Sequence, residues 1–141
     1  MALSNIDILE LLKKNNVSVN DIIMKDCEGS LKKGFYIVNL DNAGGGGTHW
    51  TALYFDGKLN IYFDSFGVAP PKNIERLLGN FIYNTEQIQD LNSELCGYYC
   101  VLFVKYLYHS RSKYYRFNEF VNLFYLPERN EEILKKLFKL Q

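Results

Sequence analysis

The sequence predicts an α+β domain in which a mainly antiparallel sheet is flanked by helices. Three observations predict it. Helical patterns lie towards both ends of the chain, strand patterns cluster over residues 35–64, and residues 96–108 carry Val, Leu, Phe and Tyr on every side of a helical wheel. A helix without a polar face has to be buried. Strands grouped apart from helices build a sheet with helices packed against it, not an alternating parallel fold. A length of 141 residues fits one domain, residues 1–141, with a single core.

The elements follow in order. Ser4 is placed to cap a first helix, with Ile6, Leu9 and Leu12 or Lys13 along one side. Ser18 and Asp21, three residues apart, suggest a second short helical turn. Residues 35–40 are β-branched and aromatic and read as a strand. Beyond the glycine run at 44–47, residues 49–55 and 58–64 read as two strands, and Asp56-Gly57 between them signals a type I′ hairpin. Pro70-Pro71 leads into a helix over 73–78, with Pro in its first turn. Residues 81–83 and 86–89 are short strand candidates. Residues 117–125 and 128–140 form two amphipathic helices separated near Pro127.

Composition excludes several classes. Hydrophobic residues make up 48%, which separates the chain from disordered proteins. Eleven Tyr, ten Phe and one Trp supply bulk for a filled core. Sixteen basic and sixteen acidic residues cancel, so the basic excess expected of a nucleic-acid binder is missing. Short clusters such as Lys13-Lys14 and Lys32-Lys33 read as solvated faces. The longest apolar run, 98–104, is too short to span a bilayer, and residues 1–7 lack the charged and apolar regions of a signal peptide. Three cysteines is an odd number, so reduced thiols in a protein that is not secreted are expected.

Cys96 opens the apolar helix after the polar stretch Asn92-Ser93-Glu94-Leu95, which is suited to turning into a helix and capping it. A cysteine in a helix's first turn sits at unpaired N–H groups and the positive end of the macrodipole, and both favour thiolate. Gly97 leaves the backbone beside it open to a substrate carbonyl. The competing reading is a small buried hydrophobe, and position alone does not separate the two. Cys100 falls one turn further inside the apolar segment and reads as core; Cys27 reads as incidental.

A nucleophilic cysteine needs a base, and the chain has two histidines. His109 closes the apolar helix, where satisfying terminal carbonyls is the simpler role. His49 sits at a loop-to-strand edge, a common place for catalytic groups. Counting outward from Asp56-Gly57 sets Phe55 near Lys58 and His49 near Asp64, on one face of the hairpin. An acid so placed fixes the imidazole tautomer and stabilises the imidazolium. Trp50 alternates to the other face and is expected to pack under the strand. The glycine loop, with Gly46 and Gly47, precedes the base and offers backbone to an extended peptide without side-chain obstruction. Cys96 and Cys100 are a helical i, i+4 pair rather than a zinc spacing, and the glycine run is not followed by the Lys-Ser or Lys-Thr of a P-loop.

Three motifs in order resemble the adenovirus-type maturation protease family, with relatives in virophages and Maverick/Polinton elements and more distant ones among the proteases for ubiquitin-like modifiers. They are Gly46-Gly47-Thr48-His49-Trp50, then Tyr62-Phe63-Asp64-Ser65-Phe66-Gly67, then Gln89, Asn92-Ser93, Cys96-Gly97 and Cys100 at fixed spacing. The resemblance spans about residues 34–104, roughly half the chain. It implies a papain-like, adenain-like fold with the nucleophile at the N-terminus of a buried central helix. It implies His49 as base, Asp64 as its orienting acid, Cys96 as nucleophile, and Gln89 with a backbone N–H at Cys96 as the oxyanion hole. Adenoviral members carry Glu where this chain has Asp64, and the modifier proteases carry Asp. The family's substrates have small residues, often Gly-Gly, beside the cut.

The resulting expectation is a monomeric viral cysteine endopeptidase that cleaves capsid or core precursors during virion maturation, in the virion and the host-cell interior. No cofactor or metal is expected. The adenoviral enzymes are activated by a viral peptide and DNA, and this sequence supports neither requirement. The alternatives are an isopeptidase removing a ubiquitin-like modifier and an inactive protease-like binding module. The inactive module would be marked by a lost Cys, His or Gln, and none is lost here.

Overall fold

Alternation along residues 35–38 sends Phe35 and Ile37 to one side of a sheet and Tyr36 and Val38 to the other. All four are buried, so this strand has packing on both faces. The computed structural model describes residues 3–40, 49–90 and 93–138. The described elements run α1 (Asn5–Lys14), β1 (Asp21–Met24), β2 (Gly34–Asn39), β3 (Trp50–Phe55), β4 (Asn60–Phe63), α2 (Lys72–Leu78), β5 (Phe81–Tyr83), α3 (Cys96–Leu107), α4 (Lys113–Asn122) and α5 (Pro127–Phe138). The sheet has strand order β1-β2-β3-β4-β5. Its three central strands are antiparallel, and both edge strands pair in parallel. The fold is therefore the expected α+β sheet flanked by helices, with parallel edges that the sequence pattern did not reveal.

The larger core lies between one face of the sheet and the helices. Trp50, Ala52 and Tyr54 of β3 and Ile61 and Phe63 of β4 face it, together with Ile8 and Leu12 of α1 and most of α3. Val101, Phe103, Val104 and Leu107 of α3 are completely buried. Phe103 lies parallel to Phe63 at 5.3 Å and edge-on to Phe117 and Phe120 of α4 at 5.8 and 6.0 Å. The opposite face carries a smaller core in which Tyr62 and Leu53 meet Ile74 and Leu78 of α2.

Four local expectations are corrected. Ser4 caps α1 in a reciprocal capping box with Asp7, as its sequence suggests, but Ile6 and Leu9 point to solvent and the buried residues are Ile8 and Leu12. Asp21 begins a strand instead of a helical turn, because Ile22 and Ile23 extend the sheet beside β2. Residues 86–89 form no strand. The Asp56-Gly57 turn is not a two-residue hairpin. The loop takes residues 56–59, with Asp56 Oδ1 accepting from the N–H groups of Lys58 and Leu59, and Asn60 Oδ1 accepting from those of Asp56 and Gly57. Gly57 supplies the positive φ, at 85°, that this loop requires. The register is therefore Ala52 opposite Phe63, displaced by two residues from the sequence count. A two-residue displacement keeps every side chain on its face.

Phe103 is fully buried and joins strand β4 to helix α4. Phe103→Ala is expected to cost about 3–5 kcal/mol in urea-denaturation stability. Tyr115→Ala, at a residue 71% exposed, is expected to stay within about 0.5 kcal/mol of the parent.

Candidate active site

Asp64 follows β4 directly, and the turn after it is held tightly. Gly67 N–H donates to the Asp64 carbonyl at 2.8 Å. Gly67 has φ 76°, and a Cβ there would meet the Glu86 backbone at 2.8 Å, so only glycine fits. The Asp64 side chain is 2% exposed, and its Oδ1 accepts from the Phe66 N–H at 2.8 Å and lies 2.7 Å from His49 Nε2. The Phe66 ring covers one face of the imidazole, stacked at 4.6 Å.

His49 immediately precedes β3, and its carbonyl accepts from the Leu40 N–H at 3.0 Å. With Nε2 committed to Asp64, Nδ1 is the nitrogen left for a nucleophile. It is buried and has no fully formed hydrogen bond among the described residues. Cys96, the first residue of α3, interacts with the ring. Burial alone pushes the His49 pKa down. Hydrogen bonding and charge from Asp64, with those from Cys96, outweigh it and raise the value to about 9. The ring is thus set to hold a proton between two acidic partners.

The start of α3 is built differently from the sequence reading. Its N-cap is Leu95, which contributes no side-chain hydrogen bond. Ser93 acts one step earlier, its Oγ accepting from the Leu95 N–H at 3.2 Å. The space a Gly97 side chain would fill is taken by Leu3, whose Cδ1 would lie 2.9 Å from a Cβ. Trp50 is buried beneath the strand, and its indole N–H donates to the Leu3 carbonyl at 3.0 Å. Cys100 is completely buried, and burial raises its thiol pKa well above the ordinary value. Cys27 sits by a separate pocket of about 430 Å³ lined also by Leu31, Phe55 and Arg76, on the α2 side of the sheet.

Gln89 is fully buried. Its Oε1 accepts from Ser65 Oγ at 2.5 Å, and its Nε2 donates to the Ser93 carbonyl at 2.7 Å. One Nε2 hydrogen is therefore used inside the protein, and one remains for any oxyanion role. The network joins the residue after Asp64 to the loop before Cys96. Sequence reading singled out neither Ser65 nor Asn84 in this role. Asn84 clamps the Asp64 backbone through its side chain, and no local sequence signal marks such an amide. Gly46, Gly47 and Asn92 lie outside the described residues. Among the described residues no group of three or more His, Cys, Asp or Glu side chains is placed to hold a metal ion, and no helix is long and apolar enough to cross a membrane.

The fold is similar to that of a solved protease. The chain superposes on the crystal structure of the ASFV pS273R protease with a TM-score of 0.50 and 19% identity, over 71% of this chain and 42% of that one. The matched region is thus less than half of that protein's length. No protein-family model and no curated relative matches the chain.

The raised His49 pKa makes a pH prediction. A group with a folded pKa above its unfolded value contributes stability in full below the unfolded value, here 6.5, and loses it as pH rises through the folded value, about 9. The stability difference between the parent and His49→Gln should therefore narrow between pH 6.5 and 9. Denaturant midpoints across that window check it. A constant gap would mean that the imidazole has no raised pKa.

Proposed function

We propose that the chain is a cysteine endopeptidase working through Cys96, His49 and Asp64. The observation that carries this reading is a single imidazole engaged by a buried carboxylate at 2.7 Å and by the cysteine that opens a buried helix. The Cys96 thiol gives its proton to His49 Nδ1 as its sulfur attacks the substrate carbonyl carbon and forms the C–S bond. The carbonyl electron pair moves to the oxygen. As the intermediate collapses, His49 Nδ1 gives its proton to the departing amine and leaves a thioester. The same nitrogen then takes a proton from water, whose oxygen attacks the thioester, and returns that proton to the sulfur as the C–S bond breaks. Asp64 holds Nε2–H and so fixes the orientation of the ring that faces Cys96.

The finer reading is a viral enzyme that trims capsid or core precursors, with Gln89 and the Cys96 N–H as oxyanion donors. Its support is the motif resemblance and the likeness to a viral protease fold. The glycine loop at 44–47 would admit a substrate with small residues beside the cut. Asp64, where adenoviral members carry Glu, favours a second reading, an isopeptidase for a ubiquitin-like modifier. Incubating the protein with purified capsid precursor and, in parallel, with a modifier fusion separates these two. Failure to cleave either substrate and to react with a peptide vinyl sulfone would leave a binding module.

Cys96→Ala is expected to abolish cleavage, while Cys27→Ala and Cys100→Ala retain most of it; Cys100→Ala should also lower the melting temperature, because that thiol is fully packed. Turnover surviving in Cys96→Ala would reassign the nucleophile.

Gln89→Ala is expected to lower kcat by about 10²–10³ if the second amide hydrogen reaches the oxyanion. If Gln89 only ties Ser65 to Ser93, the variant should instead lose melting temperature and alter thiol alkylation while folded molecules keep their kcat. Measuring kcat and Tm on this one variant distinguishes the roles.

A further inference from the structure

We propose that Asn84 is a positioning residue of this site: its side-chain amide grips both backbone groups of Asp64 and so sets the carboxylate that orients His49. The inference rests on the triad reading above. β4 and β5 pair in parallel only as far as Tyr62 and Tyr83. Beyond that point the ladder is continued by a side chain. Asn84 Nδ2 donates to the Asp64 carbonyl at 2.6 Å, and Asn84 Oδ1 accepts from the Asp64 N–H at 3.1 Å. A carboxamide is a peptide group in miniature, with donor and acceptor on one planar unit, and here it pairs with a single residue from both sides.

The clamp is buried and shared. Asn84 is 4% exposed, and its Nδ2 also reaches the Glu86 carbonyl at 3.3 Å. The Asp64 carbonyl accepts from both Asn84 Nδ2 and the Gly67 N–H. Asp64 is thereby fixed at the point where β4 ends and the sheet no longer holds it. Its Oδ1 must meet His49 Nε2 and the Phe66 N–H together, so freedom in its backbone passes directly to the imidazole. The polar groups that act on His49 are Asp64, from the end of β4, and Cys96, from the first turn of α3; the Phe66 ring against it is uncharged. Losing the clamp should weaken the Asp64 contribution and leave that of Cys96.

The test compares three substitutions at Asn84 with a control. Asn84→Leu keeps bulk and removes both polar groups, Asn84→Ala removes the side chain, and Asn84→Ser keeps one hydroxyl. Asn60→Ala is the control. It lies at the start of β4, the strand that Asp64 follows, and its buried amide donates to the carbonyls of Leu78 and Asn80 at 2.6 and 2.9 Å. The chain has two histidines, so ring-proton NMR can follow His49 directly against pH. Asn84→Leu and Asn84→Ala are expected to lower the His49 midpoint by roughly one pH unit towards its ordinary value, with Asn84→Ser between them and the parent. The alkaline limb of kcat/KM should move with it. Asn60→Ala should lose stability and leave the His49 midpoint in place. If Leu and Ala variants do not fold, Asn84→Ser alone decides by the same shift. An unchanged His49 midpoint in a folded Asn84 variant, or an equal shift in Asn60→Ala, overturns the proposal. A parent His49 that titrates near its ordinary value overturns the triad reading itself, which is a separate result.

Discussion

The geometry of the site depends on how α3 lies across the sheet. Phe103 stacks flat on Phe63, the last residue of β4. The contact joins the strand that Asp64 follows to the helix that Cys96 begins. Phe117 and Phe120 of α4 close on the same ring, and Phe35 of β2 meets it at 6.0 Å. A ring held on several sides in a close-packed interior has little freedom to slide. A slide of α3 along its axis by one residue would carry Cys96 about 1.5 Å, enough to spoil a reaction that needs its atoms aligned within fractions of an ångström. On the proposed triad, the apolar core constrains the geometry of the site as well as supplying stability.

The polar side of the site is arranged to complement that packing. Asp64, Ser65, Asn84 and Gln89 are all buried where β4 ends. Unpaired, each would carry a desolvation penalty of about 1–3 kcal/mol. Instead they satisfy one another and the neighbouring backbone. The Ser65 carbonyl takes the N–H groups of both Ile88 and Gln89, each at 2.8 Å, while Ser65 Oγ donates to the Gln89 side chain. Gln89 then reaches Ser93, and Ser93 reaches Leu95, the cap of α3. Asp64 and Cys96 are thus joined twice, through aromatic packing in the core and through a hydrogen-bonded chain at the strand end. The two routes fail differently. A packing defect loosens the whole helix, whereas a polar defect leaves the helix docked and disturbs orientation.

What was legible in the sequence follows from this division. The buried helix 96–107 announces itself because apolar residues surround it, and β2 to β4 announce themselves through β-branched and aromatic runs. The pairing of His49 with Asp64 was inferred from a hairpin count that was two residues out, since residues 56–59 form a longer loop than Asp56-Gly57 suggests. It survived because strand side chains repeat every two residues, so an even displacement preserves the face. A one-residue slip would have put Asp64 on the opposite face from His49. The wrong face of α1 has a related cause. Ile6, Ile8, Leu9, Leu11 and Leu12 supply more apolar positions than one stripe needs, and only docking against α3 and the sheet selects Ile8 and Leu12. Asn84 and Ser65 were invisible for another reason: a polar residue that replaces a missing backbone partner has no periodicity to betray it.

Cys96 and Cys100 make the same point about function. They are one turn apart on one helix, and at 3% and 0% exposure they are almost equally buried. Burial therefore does not tell a nucleophile from a core thiol. Their surroundings do. Cys100 is completely buried in the core, and burial is the largest influence on its thiol, ahead of the charges of Cys96 and Asp64. Cys96 lies at the helix start and interacts with an imidazole whose other nitrogen is bound to a buried carboxylate. The core wall is interrupted here by a few buried polar groups that bond to one another and to the neighbouring backbone. On the proposed triad, a preference of the site for Cys96 over Cys100 follows from that arrangement rather than from anything intrinsic to the thiols.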